Sequence, residues 1–188
     1  MSTSIFFWQP QRDYLRLCSR HRFGRILIII LNYVIWFFFF YLSYLLVRHD
    51  FHIFWQLLLA TILGEIVERW LKKKILWRRP MFNRHDGTPL GLVDSWYRTG
   101  SFPSGHALKT AFFFFLVLQT GVFSPLLFLL ITSSLLLFRI LMGFHYFADI
   151  VGGFIMGFFI WLAVSRLHLY TPLDPFLIKL FNFIFRLN

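Results

Sequence analysis

Long apolar stretches without charged residues alternate with polar and basic segments along the chain. The first such stretch covers residues 26–47 and is bracketed by Arg25 and Arg48. A helix rises about 1.5 Å per residue, so a stretch of this length crosses the roughly 30 Å hydrocarbon core of a bilayer. The pattern therefore predicts a membrane-spanning helix at residues 26–47.

The remaining hydrophobic pattern predicts four further spans. Residues 110–138 contain no charged side chain, which is too long a run for one ordinary span, and Gly121 and Pro125 divide it into two helices. Gly153 and Gly157 lie four residues apart in the last span, a spacing that permits close helix packing. The further spans are expected at residues 52–71, 104–121, 125–142 and 147–164.

The second span ends in charged residues. Glu65 and Arg69 are four residues apart, as are Glu68 and Lys72, so each pair shares one helix face. Such pairs either neutralise each other near the membrane interface, or Glu68 holds Lys72 in position.

The polar stretch at 72–103 follows the second span, and an ordered loop of this length is typically functional.

Within that loop, Tyr97 and Arg98 precede the next motif and are candidates for contact with a substrate headgroup. His85 and Asp86 are interpreted as surface residues.

Both termini have the character of membrane-interface segments. Residues 1–24 mix apolar and basic side chains, as in a helix lying in the interface, and precede a run too long for a cleavable signal peptide. A short amphipathic segment at 176–187 also suits the interface. The predicted fold class is all-α: a polytopic membrane helical bundle of about five transmembrane helices plus an N-terminal interfacial amphipathic helix, in a single domain over 1–188.

Composition narrows the expected partners. Hydrophobic residues make up 58% of the chain, 27 residues are Phe, and the formal net charge is +11. The basic residues flank apolar runs, so the bilayer and an anionic lipid substrate are expected rather than nucleic acid. The one cysteine, Cys18, excludes an intrachain disulfide. Nothing in the sequence indicates an obligate protein partner.

A five-span topology brings distant polar residues to one membrane face. The end of the second span, the start of the third, the end of the fourth and the start of the fifth must share that face. The residues concerned are Lys72, Arg79, Ser104, Gly105, His106, Arg139, His145 and Asp149. We therefore expect these residues to form one site.

The cations of this set predict an anion site. An anion offsets the cost of holding Lys72, Arg79 and Arg139 near hydrocarbon, and guanidinium groups bind phosphate oxygens in bidentate fashion. Gly105 lies at a helix start, where backbone N–H groups can approach an oxyanion. Phosphate is the anion that matches these groups best.

The histidines add the chemistry of phosphoryl transfer. Asp149 follows His145 by four residues, so both share one helix face, and a carboxylate on one ring nitrogen leaves the other free to attack phosphorus. His106 can protonate the departing alkoxide and then activate water. A metal site formed by His106, His145 and Asp149 is the alternative, which the three adjacent cations disfavour. No metal and no cofactor is expected.

Three motifs occur in order along the chain. They are Lys72-x6-Arg79-Pro80, Pro103-Ser104-Gly105-His106 and Arg139-x5-His145-x3-Asp149. Together they resemble the signature of the type 2 phosphatidic acid phosphatase superfamily, which includes lipid phosphatases, undecaprenyl pyrophosphate phosphatases, lipid A phosphatases and vanadium haloperoxidases. The resemblance covers roughly residues 52–165, with the signature in 72–149.

The resemblance implies roles for individual residues. His145 matches the family's nucleophile, which forms a phosphohistidine, Asp149 matches its orienting acid and His106 its general acid. The phosphate-binding positions are matched by Lys72, Arg79, Ser104, Gly105 and Arg139. The implied activity is metal-independent hydrolysis of a lipid phosphomonoester or pyrophosphate. Candidate substrates are phosphatidylglycerol phosphate, phosphatidic acid, undecaprenyl pyrophosphate and lipid A.

One position departs from the family pattern. Phe138 stands where the family usually has a serine before the third-motif arginine, so a phosphate-facing hydroxyl is missing. We expect a shifted rate or substrate preference rather than loss of activity. The alternatives are a lipid-to-lipid phosphotransferase and a catalytically silent protein that binds lipid phosphates. A haloperoxidase is disfavoured, because those enzymes do not span membranes.

Two arguments disagree about orientation. All but four of the 19 Lys and Arg residues fall on the side of the expected site, and the positive-inside rule places that side in the cytoplasm. The family resemblance instead implies a site facing the periplasm or exterior of a bacterial inner membrane. We follow the resemblance, since an interfacial N-terminal helix can hold basic residues against anionic headgroups on either side.

Overall fold

The computed structural model describes residues 5–10, 13–83, 99–167, 169 and 171–185, and the regular secondary structure in these parts is helical. The helices are α1 (Tyr14–Ser19), α2 (Arg22–His49), α3 (Ile53–Lys73), α4 (Gly105–Thr120), α5 (Pro125–Leu141), α6 (Phe147–Val164) and α7 (Asp174–Phe185). Two 3-10 turns, η1 (Ile5–Phe7) and η2 (Pro80–Asn83), accompany them. The prediction of an all-α membrane bundle is confirmed. The loop residues Tyr97, Arg98, His85 and Asp86 lie outside the described residues.

The long helices match the predicted spans to within a few residues at their ends. By length and composition, α2 and α6 can each cross a membrane, and α5 is a shorter apolar helix. The break between α4 and α5 lies where it was expected, because Ser124 Oγ accepts the Leu127 N–H at 3.4 Å and Pro125 is the first residue of α5. The two helices therefore form a hairpin.

The N-terminal region is divided rather than a continuous helix over 1–24. Asp13 starts α1 by accepting a backbone N–H of its first turn at 3.0 Å, and η1 precedes it as a separate turn. The Phe7 ring packs edge-on against Trp77 and Tyr146, with centroids 5.2 and 5.3 Å apart. This region therefore covers the end of the bundle at which α6 begins.

The C-terminal helix α7 starts two residues before the predicted segment 176–187. Asp174 accepts the Thr171 N–H at 3.0 Å and the Trp55 indole N–H at 2.9 Å. The first contact closes the turn that precedes α7, and the second connects the start of α7 to the start of α3. These contacts place α7 at the end of the bundle opposite to Phe7.

Helix α4 lies at the centre of the bundle and packs most closely against α6. A Cβ on Gly157 would lie 2.1 Å from the Leu108 carbonyl oxygen, and one on Gly153 would lie 2.5 Å from the Ser104 carbonyl oxygen. The predicted close packing at these glycines is therefore present. It also joins the starts of the two helices, since the Ser104 N–H donates to the Asp149 carbonyl at 3.0 Å.

Candidate active site

A cavity of about 290 Å³ lies at the end of the bundle where α3 and α5 finish and α4 begins. Its lining residues are Asn32, Tyr33, Trp36, Glu65, Glu68, Lys72, Arg79, Thr99, Gly105, His106, Lys109, Arg139 and His145. Six of the eight predicted site residues are among them. The other two, Ser104 and Asp149, are fully buried behind the cavity wall.

His145 is held in the short connection between α5 and α6. Gly143 adopts a left-handed conformation with φ of 75°, which glycine tolerates without strain, and its carbonyl accepts the Met81 N–H at 2.9 Å. Arg79 donates to the Phe144 carbonyl at 3.1 Å. The segment after α3 therefore fixes the backbone on which His145 lies, and His145 is only 1% exposed.

Contacts on both ring nitrogens define the tautomer of His145. Its Nδ1 lies 3.2 Å from Asp149 Oδ2, and its Nε2 lies 3.3 Å from Arg79 Nη1. A guanidinium group can only donate, so Nε2 must be the acceptor and Nδ1 must carry the proton. The lone pair of Nε2 is therefore directed at Arg79 on the cavity wall, and Nε2 carries no proton, as a nucleophilic nitrogen requires.

The charge state of His145 suits the same role. Burial, reinforced by the nearby charges of Arg79, Arg139 and Lys72, lowers the pKa of His145 well below its usual value. The imidazole is therefore neutral at physiological pH, and Nε2 is not blocked by a proton. Burial also lowers the pKa of Arg79 to about 10, which leaves this guanidinium protonated at neutral pH.

Asp149 is itself held by several donors. Its carboxylate accepts the Tyr146 N–H at 2.7 Å and the Trp77 indole N–H at 2.8 Å, and the Ser101 hydroxyl also donates to it. These contacts leave the carboxylate little freedom to rotate. It is therefore a rigid acceptor for the Nδ1 proton of His145.

Arg139 connects α2, α4 and α5. One of its guanidinium nitrogens donates to Asn32 Oδ1 at 2.5 Å and lies 3.3 Å from His106 Nε2. Because arginine only donates, His106 Nε2 is the acceptor in this contact. The Trp36 ring packs against the His106 ring, with centroids 5.1 Å apart. Helix α2, which contributes no motif residue, thus fixes both Arg139 and His106.

A network of carboxylates and ammonium groups forms the opposite wall. The predicted pairs are both present: Glu65 accepts from Arg69 at 3.2 Å, and Glu68 pairs with Lys72. Lys109 joins them, with Nζ 2.8 Å from Glu65 Oε1 and 3.5 Å from Glu68 Oε2. The α3 wall of the cavity thus carries charges of both signs.

Two predicted features have different surroundings from those expected. The Ser104 hydroxyl accepts the Ala107 N–H at 3.5 Å and so caps α4, away from the cavity. The Phe138 ring packs edge-on against Phe144, with centroids 6.2 Å apart, beside a small apolar cluster that includes Met81. Phe138 therefore fills an apolar space outside the cavity lining.

The sequence-based prediction missed Asn32, Trp77, Ser101 and Lys109, whose side chains contact groups of this site, and also the cavity-lining residues Tyr33, Trp36 and Thr99. A buried polar residue in an apolar span is a signal for function, and Asn32 is such a residue. Lys109 follows His106 by three residues and thus shares its helix face.

Among the residues that the structure describes, no group of three His, Cys, Asp or Glu side chains could hold a metal ion.

A comparison with known protein families identifies one match. The model described as the PAP2 superfamily matches residues 53–172, which include α3 to α6 and all eight predicted site residues. Helix α2 precedes the matched region. No solved structure matches the chain.

Proposed function

Because the chain belongs to the PAP2 superfamily, we propose that it is an integral-membrane phosphatase that hydrolyses a phosphomonoester or pyrophosphate of a membrane lipid. The family implies an activity of the phosphatase or phosphotransferase type. One observation carries the finer proposal: His145 presents an unprotonated Nε2 to a cavity lined by cations, with Asp149 on its other ring nitrogen.

In the first step, Nε2 of His145 attacks the phosphorus atom of the lipid phosphate. A P–N bond forms and the ester P–O bond breaks, while the departing alkoxide takes a proton from His106. Arg79, Arg139 and Lys72 neutralise the charge on the phosphoryl oxygens during the transfer. The Asp149 carboxylate stabilises the positive charge that develops on the His145 ring.

In the second step, water attacks the phosphohistidine. His106 takes a proton from the water, the P–N bond breaks, and inorganic phosphate leaves. His106 would need to be protonated before the first step. A bound phosphate favours this protonation, because it draws Arg139 away from His106 Nε2 and brings negative charge beside the His106 ring.

The expected partners are a phosphorylated lipid and the bilayer. The cavity lies at the end of apolar helices, and the half-exposed rings of Tyr33 and Trp36 border it. Such aromatic side chains favour the membrane interface, where a lipid phosphate resides. The cationic lining disfavours a bound metal ion, so we propose a metal-independent reaction.

Phosphate release by the purified protein in detergent, without added metal, tests the proposal. The substrate panel is phosphatidic acid, phosphatidylglycerol phosphate, undecaprenyl pyrophosphate and lipid A. His145→Ala should abolish turnover, whereas His49→Ala, at the exposed far end of α2, should retain it. Turnover by His145→Ala at the wild-type rate would refute the proposal.

The same preparation separates hydrolysis from phosphotransfer. With a radiolabelled lipid phosphate and a second unlabelled lipid present, a phosphatase releases labelled inorganic phosphate. A phosphotransferase instead labels the second lipid, and a silent binding protein yields neither product.

We also propose that the protein lies in a bacterial inner membrane with the cavity facing the periplasm. In a Cys18→Ser background, single cysteines replace Lys74, beside the cavity end, or His49, at the opposite end; both positions are exposed. A membrane-impermeant maleimide should label Lys74→Cys in intact spheroplasts and His49→Cys only after lysis. The reverse pattern would refute this orientation.

A further inference from the structure

The Glu68 carboxylate lies against the first residue of α4. A Cβ placed on Gly105 would lie 2.1 and 2.3 Å from its two oxygens. The same carboxylate pairs with Lys72 and lies 3.5 Å from Lys109 Nζ. Glu68 thus occupies the place where a helix start and a nearby ammonium group would hold a phosphate oxygen.

Charge balance explains this arrangement. Among the residues that the structure describes, the cavity is lined by four cations, Lys72, Arg79, Lys109 and Arg139, of which the last three are at most 4% exposed. Buried cations require a counter-charge or a ligand. The Glu68 side chain, itself only 14% exposed, supplies negative charge beside Lys72 and Lys109.

We infer that Glu68 is a positioning residue whose carboxylate lies at the phosphate position and exchanges with the phosphate of the substrate. The inference rests on the proposed function. A phosphate at Gly105 would repel the carboxylate and take over Lys72. Lys109, already within reach of Glu68, then becomes the partner of the displaced carboxylate.

This exchange imposes the same cost on lipid and soluble phosphates, because both displace Glu68 with the same phosphate contacts. A lipid offsets that cost with contacts between its chains and the apolar helices. The returning carboxylate also promotes release of inorganic phosphate after each turnover.

The first test measures binding of inorganic phosphate to the purified protein in detergent by calorimetry. Glu68→Gln should lower the Kd by about tenfold or more, because it removes one negative charge beside the bound anion. Asp50→Asn is the matched control, because Asp50 is an exposed carboxylate at the opposite end of the bundle and outside the cavity lining. It should change the Kd far less.

The second test compares substrates. In Glu68→Gln, kcat/KM should rise both for p-nitrophenyl phosphate and for dioleoyl phosphatidic acid in micelles. A purely structural role of Glu68 would instead lower both values. That outcome, or unchanged values, would refute the exchange.

The third test uses Lys109 to detect the exchange itself. If Lys109 receives the displaced carboxylate, Lys109→Met should weaken phosphate binding in the wild type and have little effect in Glu68→Gln. Equal weakening in both backgrounds would mean that Lys109 attracts phosphate directly, which contradicts the inference.

The outcomes also separate this inference from the proposed function. Wild-type protein that hydrolyses phosphatidic acid, combined with an unchanged phosphate Kd in Glu68→Gln, refutes the exchange alone. Absence of both phosphate binding and turnover in the wild type and in Glu68→Gln, with all four lipids of the substrate panel, refutes the proposed function and the exchange together.

Discussion

Replacing Asn32 with leucine should impair catalysis although Asn32 belongs to none of the three motifs. Asn32 is 8% exposed on α2, and its Oδ1 accepts from Arg139 Nη1 at 2.5 Å. The same guanidinium nitrogen lies 3.3 Å from His106 Nε2. Leucine has a similar volume and no acceptor, so Asn32→Leu deprives Arg139 of one contact that fixes its position between α2 and α4.

The size of the effect follows from the kind of hydrogen bond lost. A hydrogen bond to a charged group contributes about 1.5–3 kcal/mol, and about 1.4 kcal/mol corresponds to a tenfold change in rate. We therefore expect kcat/KM to fall by about 10- to 150-fold. Most of the loss should appear in kcat, because Arg139 is proposed to stabilise the charge of the transition state.

Steady-state kinetics with phosphatidic acid in detergent measure this effect. Asn32→Asp restores an acceptor and should recover much of the loss. Ser43→Ala is the matched control, since Ser43 is a polar residue of the same helix whose hydroxyl bonds to the Phe39 carbonyl at 2.8 Å. If folded Asn32→Leu, verified by gel filtration, stays within about threefold of the wild type, Asn32 does not position Arg139.

Three further predictions follow from the geometry. The acid limb of the kcat/KM profile should lie below pH 6.5, because only neutral His145 can attack and its pKa is lowered; a midpoint at or above pH 6.5 would contradict this. Gly157→Val should lower thermal stability by about 2 kcal/mol or more, since its side chain would collide with the Leu108 carbonyl; an unchanged Tm would argue against this packing. Phe138→Ser should lower the Tm, because it removes the packing on Phe144, and it should not raise kcat/KM. A gain in activity would instead show that the hydroxyl of the introduced serine reaches the phosphate.

The positions of the helices followed from the sequence because bilayer thickness and charge placement constrain them. The span at 147–164 is identical in prediction and structure, and the hairpin break at Pro125 was located by turn chemistry alone. The shared face of the motif residues followed from connectivity, since alternating spans return helix ends to the same side. For this reason Lys72, His106 and Arg139 could be assigned to one site before their contacts were known.

The contacts of α2 and α4 could not be derived in the same way. Connectivity fixes the membrane side on which a residue lies but not the rotation of a helix about its axis. Asn32 and Lys109 could therefore have faced lipid or a neighbouring helix equally well. Phe138 illustrates the converse, because its motif position suggested the cavity whereas its ring packs on Phe144.

The proposed catalytic residues and part of the cavity wall lie on different helices, and this separation bears on substrate choice. The region 53–172, which matches the family, contains the proposed nucleophile and, among the described residues, all four cations that line the cavity. Helix α2 lies before that region, yet Asn32, Tyr33 and Trp36 line the cavity and border the proposed catalytic groups. A lipid whose phosphate reaches His145 must lie beside these α2 side chains. Substitution of Asn32, Tyr33 and Trp36 by other side chains should therefore change which lipid is accepted while the phosphoryl chemistry is retained.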